Sequence, residues 1–134
     1  MLIIIIMLTI VIGLPGSGKT FFSNTLGIKV FDDFIFNFYS GELLNDIENN
    51  IDVCINDPRL CNYTIFQRYM KIFEKRIDKN NIQLYLFEND PDKCKQNANK
   101  NVNDFIDNYT KIYNLDNYKS YNTTILTSFY PMVL

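Results

Sequence analysis

Histidine is missing altogether from the 134 residues. That absence excludes every His-based catalytic triad. The three cysteines, Cys54, Cys61 and Cys94, are too few and too irregularly spaced for an ordinary zinc site or a redox CxxC pair. Such a scattered, odd set reads as reduced and partly buried thiols in a cytoplasmic protein. An excess of basic charge is also lacking, since the formal net charge is −2. The chain as a whole therefore has no general attraction for phosphate polymers, and any contact with nucleic acid needs a local basic patch. The longest apolar run, Met1 to Ile12, is broken only by Thr9 and stops well short of the ~20 residues that span a bilayer. It lacks a basic start and a small-residue cleavage site, so it reads as a buried strand and not as a leader, and no membrane partner is expected. Met7 is a second candidate start, in which case Met1 to Ile6 is an extension with no mechanistic role. There is no internal repeat, linker or composition shift, so residues 1–134 are expected to form one domain.

What is present favours a packed core: 47% of the residues are hydrophobic, and they include 9 Tyr and 11 Phe. A continuous apolar strand is expected at Ile4–Ile12, the pattern of a sheet covered on both faces. A short helix follows at Lys19–Leu26, then a strand at Lys29–Phe31 that runs into two acids. Phe34, Phe38, Leu43, Leu44 and Ile47 have helical spacing within Phe34–Asn50, with a break at Gly41. A third strand is expected at Asp52–Asn56. Asn62 is placed to cap a helix at Tyr63–Asn80, whose Ile65, Tyr69, Ile72, Phe73 and Ile77 form an apolar stripe. Leu84–Phe87 is the centre of strand four, Asp90-Pro91 opens a polar helical stretch, another helix covers Asn101–Tyr113, and Thr123–Thr127 is a fifth strand. Alternating strands and helices imply right-handed crossovers and a mainly parallel five-stranded sheet in three α/β layers, strand order 2-3-1-4-5. Ligands are then expected beyond the carboxyl ends of the strands.

The stretch GLPGSGKT, Gly13 to Thr20, lies at such an end and fits GxxxxGK[ST] at every fixed position, between a strand and a helix. Gly13, Leu14, Pro15, Gly16, Ser17 and Gly18 supply a loop whose glycines let consecutive amide hydrogens face inward. Lys19 carries its charge to the β and γ phosphates, and Thr20 can set its hydroxyl on magnesium. ATP and Mg2+ are the expected ligands.

Asp32 and Asp33 close the second strand beside this loop. A hydroxyl acceptor needs a carboxylate in hydrogen-bond reach, and one of the pair can supply it while the other caps a helix. Asp57, in INDPRL, can hold magnesium or orient the acceptor, and Arg59 can fork onto a phosphate. Lys93, Lys95 and Lys100 fall in the polar stretch after strand four, where a mobile lid would neutralise the transferring group.

Taken in order, GLPGSGKT, FDDF, INDPRLCNYTIF and LYLFENDPDKCKQN resemble the bacteriophage polynucleotide 5′-hydroxyl kinases and allied small viral, zeta-toxin-like P-loop proteins. The resemblance implies a P-loop NTPase fold and ATP-dependent transfer of a γ-phosphoryl group to a polynucleotide 5′ end, nucleoside or nucleotide. It implies Asp32 as the acceptor-activating acid, with Lys19 and Asp57 beside it in catalysis, Thr20 and Asp57 toward the metal, and Asp33 and Arg59 toward the substrate. The family's arginine after the acid falls on Ile35 here, and its lid arginines fall near Gln96 and Lys100, which leaves one neutral side chain and one point charge. For a viral protein the location implied is the host cytoplasm. The alternative is an NTPase or a non-catalytic nucleotide-binding regulator.

Overall fold

The computed structural model describes residues 7–126. Strand β1 (Leu8–Ile12) is buried along its whole length and is the centre of a five-stranded sheet. Around it lie β2 (Lys29–Asp32), β3 (Val53–Asn56), β4 (Ile82–Phe87) and β5 (Asn122–Leu126), in the order β2-β3-β1-β4-β5. Every neighbouring pair is parallel, with Leu8 opposite both Val53 and Ile82, and Asp32 opposite Asn56. The expected α/β fold, three layers with the sheet order 2-3-1-4-5, is the observed one. The first three residues expected in strand one, Ile4 to Ile6, the Met1 to Ile6 extension, and Thr127 of strand five lie outside the described residues.

Alternation along β1 divides the core. Leu8, Ile10 and Ile12 belong to the larger apolar cluster with Phe66, Met70 and Phe73 of helix α3 (Tyr63–Phe73). Val11 turns to the other face, where Phe22 of helix α1 (Lys19–Asn24), Cys54 and Phe87 form a smaller cluster. This is the two-residue period of a strand buried on both sides. All three cysteines are free and buried.

Several elements are shorter than their apolar spacing predicts. Phe34–Asn50 divides at Gly41, whose φ of +78° stops one helix and starts the next. A 3-10 segment at Phe34–Ser40, kinked at Asn37, precedes α2 (Glu42–Glu48). Helix α3 ends at Phe73, and the chain folds back so that Ile77 still reaches the core. The apolar stripe therefore outlasts the helix. After β4 come α4 (Pro91–Asn97) and α5 (Asn103–Thr110), with a 3-10 turn at Lys100–Val102 between them. Further 3-10 turns at Pro58–Cys61, Lys79–Asn81 and Leu115–Tyr118 were not foreseen from the sequence. Short turns of this kind carry too little periodicity to read.

Asn62 caps α3 as its position predicts: its side-chain oxygen accepts from the Thr64 amide at 3.0 Å and from the Ile65 amide at 3.4 Å. Replacing it by alanine leaves two helix donors without that acceptor. Asn62→Ala should lower unfolding free energy by about 1 kcal/mol in urea titration, while Asn62→Asp should lose much less. Equal losses in the two variants would mean that the cap is not what Asn62 contributes.

Candidate functional site

The loop after β1 takes its shape from two left-handed glycines, Gly16 at φ +84° and Gly18 at φ +100°. Gly18 opens α1 with no side chain capping the helix amides. The carbonyl of Leu14 accepts from the Ser17 amide at 3.1 Å and from Lys19 Nζ at 3.0 Å. The carbonyl of Gly16 accepts from Asn97 Nδ2 of α4 at 3.2 Å. Ser17 Oγ is buried with no hydrogen-bond partner. Lys19 is only 7% exposed, and burial pulls its pKa down, against the pull of Asp33 and Asp57, among other groups, in the other direction. A buried ammonium beside a loop of left-handed glycines is the arrangement that suits an anion.

Two recesses meet at Lys19 and Thr20. One, of about 300 Å³, is bounded by Gly16, Gly18 and Phe21. The other, about 410 Å³, opens toward Asp33, Phe36 and Arg59 at the ends of β2 and β3, and is closed by Val102 and Phe105 from the α5 side.

The paired acids divide between two tasks. Asp32 Oδ1 accepts from Thr20 Oγ1 at 3.3 Å and from Asn56 Nδ2 at 2.6 Å, so it stands behind the loop threonine. Asp33 leaves the strand at φ +47°, a left-handed conformation that Asp tolerates better than most residues but that still costs of order 1 kcal/mol. It lines the larger recess. Desolvation first, then the nearby Asp57 carboxylate, pushes its pKa above the ordinary Asp value, while Lys19 and Arg59 pull the other way.

Asp57 is completely buried and its oxygens are engaged. Oδ1 accepts from the Arg59 amide at 3.0 Å and Arg59 Nε at 2.9 Å, and Oδ2 accepts from Arg59 Nη2 at 2.7 Å and the Ile35 amide at 3.3 Å. The guanidinium also lies over the Phe36 ring, 4.3 Å from its centroid. The fork expected to meet a phosphate is thus closed on Asp57. Removing one partner of such a pair would strand the other charge at a cost of about 3–5 kcal/mol.

Asn56 is the residue that sequence reasoning passed over. Its side chain is buried and donates to both Asp32 and Ser23 Oγ, at 2.6 and 3.1 Å, while its oxygen accepts from the Asp33 amide at 3.5 Å. The signal available was its place one residue before Asp57 at a strand end. The stretch expected to be a mobile lid is docked on the loop: Cys94 is fully buried, Lys95 pairs with Asp107, and Lys100 is exposed and lines neither recess. Among the described residues no group of three or more Cys, Asp or Glu side chains is arranged to hold a metal ion, and no helix is long and apolar enough to cross a membrane.

A Cβ at Gly16 would sit 2.2 Å from the Cys94 carbonyl oxygen, whereas one at Gly27, φ +71°, would meet nothing within 4 Å. Both Ala variants carry the positive-φ cost of about 1–2 kcal/mol. Gly16→Ala should lose at least about 1 kcal/mol more than Gly27→Ala in chemical denaturation, because only the first pushes against α4. Matching losses would show that α4 yields freely to the loop.

No model of a known protein family matches this chain. The chain is 43% identical over 133 residues to the uncharacterized protein R277 of Acanthamoeba polyphaga mimivirus, an alignment that covers 91% of this chain and 96% of that protein. The parallel sheet and its strand order are consistent with the P-loop NTPase-like superfamily and with a nucleotide-binding protein of that type.

Proposed function

The chain belongs to the family of that mimivirus protein, and we propose that it is an ATP-dependent phosphotransferase, moving a γ-phosphoryl group to a hydroxyl of a polynucleotide 5′ end, a nucleoside or a nucleotide. The observation that carries this reading is the junction of the two recesses at Lys19 and Thr20, with Asp33 lining the far one. One recess suits a donor and the other an acceptor. On this reading residues 1–134 form one P-loop kinase-like unit.

The groups present fit a magnesium nucleotide. The loop amides of Gly16, Gly18, Lys19 and Thr20 and the buried Lys19 side chain would hold the phosphates, and Thr20, whose hydroxyl donates a hydrogen bond to Asp32, would hold the metal. Bound ATP supplies the phosphoryl group, and magnesium neutralises part of its charge. Asp33 would orient the acceptor hydroxyl and accept its proton, so the base role that the resemblance puts on Asp32 passes to its neighbour. Asp33 lines the far recess while Asp32 is engaged by Thr20 and Asn56, and its upward shift makes Asp33 a stronger proton acceptor than an ordinary aspartate. Asp57, with its oxygens engaged, would act as the anchor of Arg59 and not as an open metal ligand. Lys100 would reach the nucleotide only if its segment moved.

A second reading, an NTPase or non-catalytic nucleotide-binding regulator, draws on the same closed Arg59 fork, since it leaves Lys19 as the cation nearest a transferring group. Product analysis separates the two: acceptor-independent release of phosphate, or none at all, favours the second.

Lys19→Ala should abolish Mg-ATP binding in calorimetry, and unchanged affinity would end the nucleotide reading. Asp33→Asn should lower turnover at least about 10²-fold with little loss of ATP affinity, whereas Asp32→Asn should weaken the magnesium dependence of binding. Because the base works ionised, turnover should fall as pH drops through the Asp33 pKa. The upward shift sets that limb above the usual Asp range, and Asp33→Asn should erase it. A pH profile with the same acid limb in the variant would place the base elsewhere.

A further inference from the structure

The larger recess discriminates among the three acceptor classes, an argument that rests on the phosphotransfer reading. Its charges cancel locally. Lys19 faces the Leu14 carbonyl within the loop and Arg59 is closed on the buried Asp57, which leaves the Asp33 carboxylate in the same space. Once a donor's phosphates engage Lys19, a phosphate on the acceptor would meet the Asp33 carboxylate beside an Asp57–Arg59 pair that is already neutral, with no unpaired cation left among the residues lining the recess. Like charge in a partly desolvated cleft is a strong repulsive element, and specificity is as much a matter of what is repelled as of what is held.

The remaining wall is apolar and flat. Phe36 is 75% exposed even though it borders the recess, and its ring is steadied by the Arg59 guanidinium at 4.3 Å. Phe105 enters from α5 already stacked on Tyr109, with ring centroids 4.1 Å apart and planes within 7°. Two rings whose positions are fixed by neighbours offer stacking surface at little entropic cost. Pro15, Pro58 and Val102 complete the wall. A space of about 410 Å³ lies in the range of small-molecule pockets.

We propose that the acceptor is a free nucleoside, with its base packed on Phe36 and Phe105 and a sugar hydroxyl on Asp33, and that the recess disfavours acceptors that already carry phosphate. The flat rings select a planar heterocycle, the neutral wall selects an uncharged one, and the Asp33 carboxylate selects a hydroxyl. A nucleoside is the class of molecule that has all three.

Equilibrium dialysis of the full chain against labelled nucleosides, the corresponding nucleoside 3′-monophosphates and a 5′-hydroxyl trinucleotide tests this directly, without relying on turnover. At least one nucleoside should bind saturably, its 3′-monophosphate and the trinucleotide should bind at least about tenfold more weakly, and Phe36→Ala and Phe105→Ala should each weaken the nucleoside about tenfold, the loss of one ring–base stack. ATP affinity in both variants should stay within about twofold, since neither ring borders the loop-side recess. Phe36 is exposed enough for its truncation to leave the core intact. No saturable nucleoside binding, or no effect of either ring, overturns the proposal. So does a trinucleotide that binds as tightly as the nucleoside, which would move the acceptor to a strand laid across Phe36 and the 97% exposed Tyr39. Failure of the phosphotransfer reading looks different: nucleosides would still bind, but ATP would be consumed at the same rate with or without them.

Discussion

An ammonium group withdrawn from water, with a backbone carbonyl as its partner, is the costly feature around which the rest is arranged. Lys19 donates to Leu14 at 3.0 Å and is almost fully buried, so its charged form is disfavoured by desolvation. Burying an ion without a counter-ion costs several kcal/mol even after relaxation, of order the whole stability of a small domain. The fold tolerates this because β1 and its neighbours supply a core buried on both faces, and because the carboxylates of Asp33 and Asp57 offset part of the cost from across the recess. The charge is thereby fixed in place, the preorganisation that the proposed phosphate-binding role requires.

One uncharged side chain ties α1, β2 and β3 together beside that lysine. Asn56 ends β3 opposite Asp32 and bonds to Asp32, to Ser23 of α1 and to the Asp33 amide. Strand geometry puts Asp32 and Asn56 on the same face, toward α1, and the left-handed turn at Asp33 then sends the next carboxylate the other way. An amide serves here where a carboxylate would not. It donates to Asp32 and accepts from Asp33 at once, and it adds no third negative charge beside Asp57. The Asp57–Arg59 pair follows directly in sequence and holds a planar cation against Phe36.

The sheet order, the loop motif, the Asn62 cap and the break at Gly41 were legible in the chain because each rests on a strong local rule: apolar runs, glycine spacing, a side-chain acceptor at a helix start. The division of labour between Asp32 and Asp33 was not. Which of two adjacent acids faces the recess at Lys19 depends on where the strand stops and how the chain turns, and a one-residue difference reverses the answer. Asn56 was invisible for a related reason, since its role exists only through register with β2 and contact with α1. The polar composition of Pro91–Asn97 pointed to a mobile segment, but burial of one residue, Cys94, and the Asn97 bond to Gly16 tie it to the loop. Helix ends set by tertiary turns, as at Phe73, escape a reading based on periodicity alone.

That docking of α4 bears on how the loop presents its donors. For amide hydrogens to point into the loop, the matching carbonyls must point out, and each outward carbonyl needs a partner of its own. Leu14 is the exception, its carbonyl satisfied inside the loop by Ser17 and Lys19, while Gly16 finds an outside partner in Asn97. The left-handed glycine then brings its backbone so close to Cys94 that a side chain at Gly16 would strike the helix. A few residues further on, the same polypeptide contributes Val102 and Phe105 to the other recess. One stretch, Pro91–Thr110, therefore braces the loop from outside and walls the cleft beside it. Lys95 of α4 pairs with Asp107 of α5, so the brace of the loop and the wall that carries Phe105 are tied to each other in a segment whose sequence advertises neither.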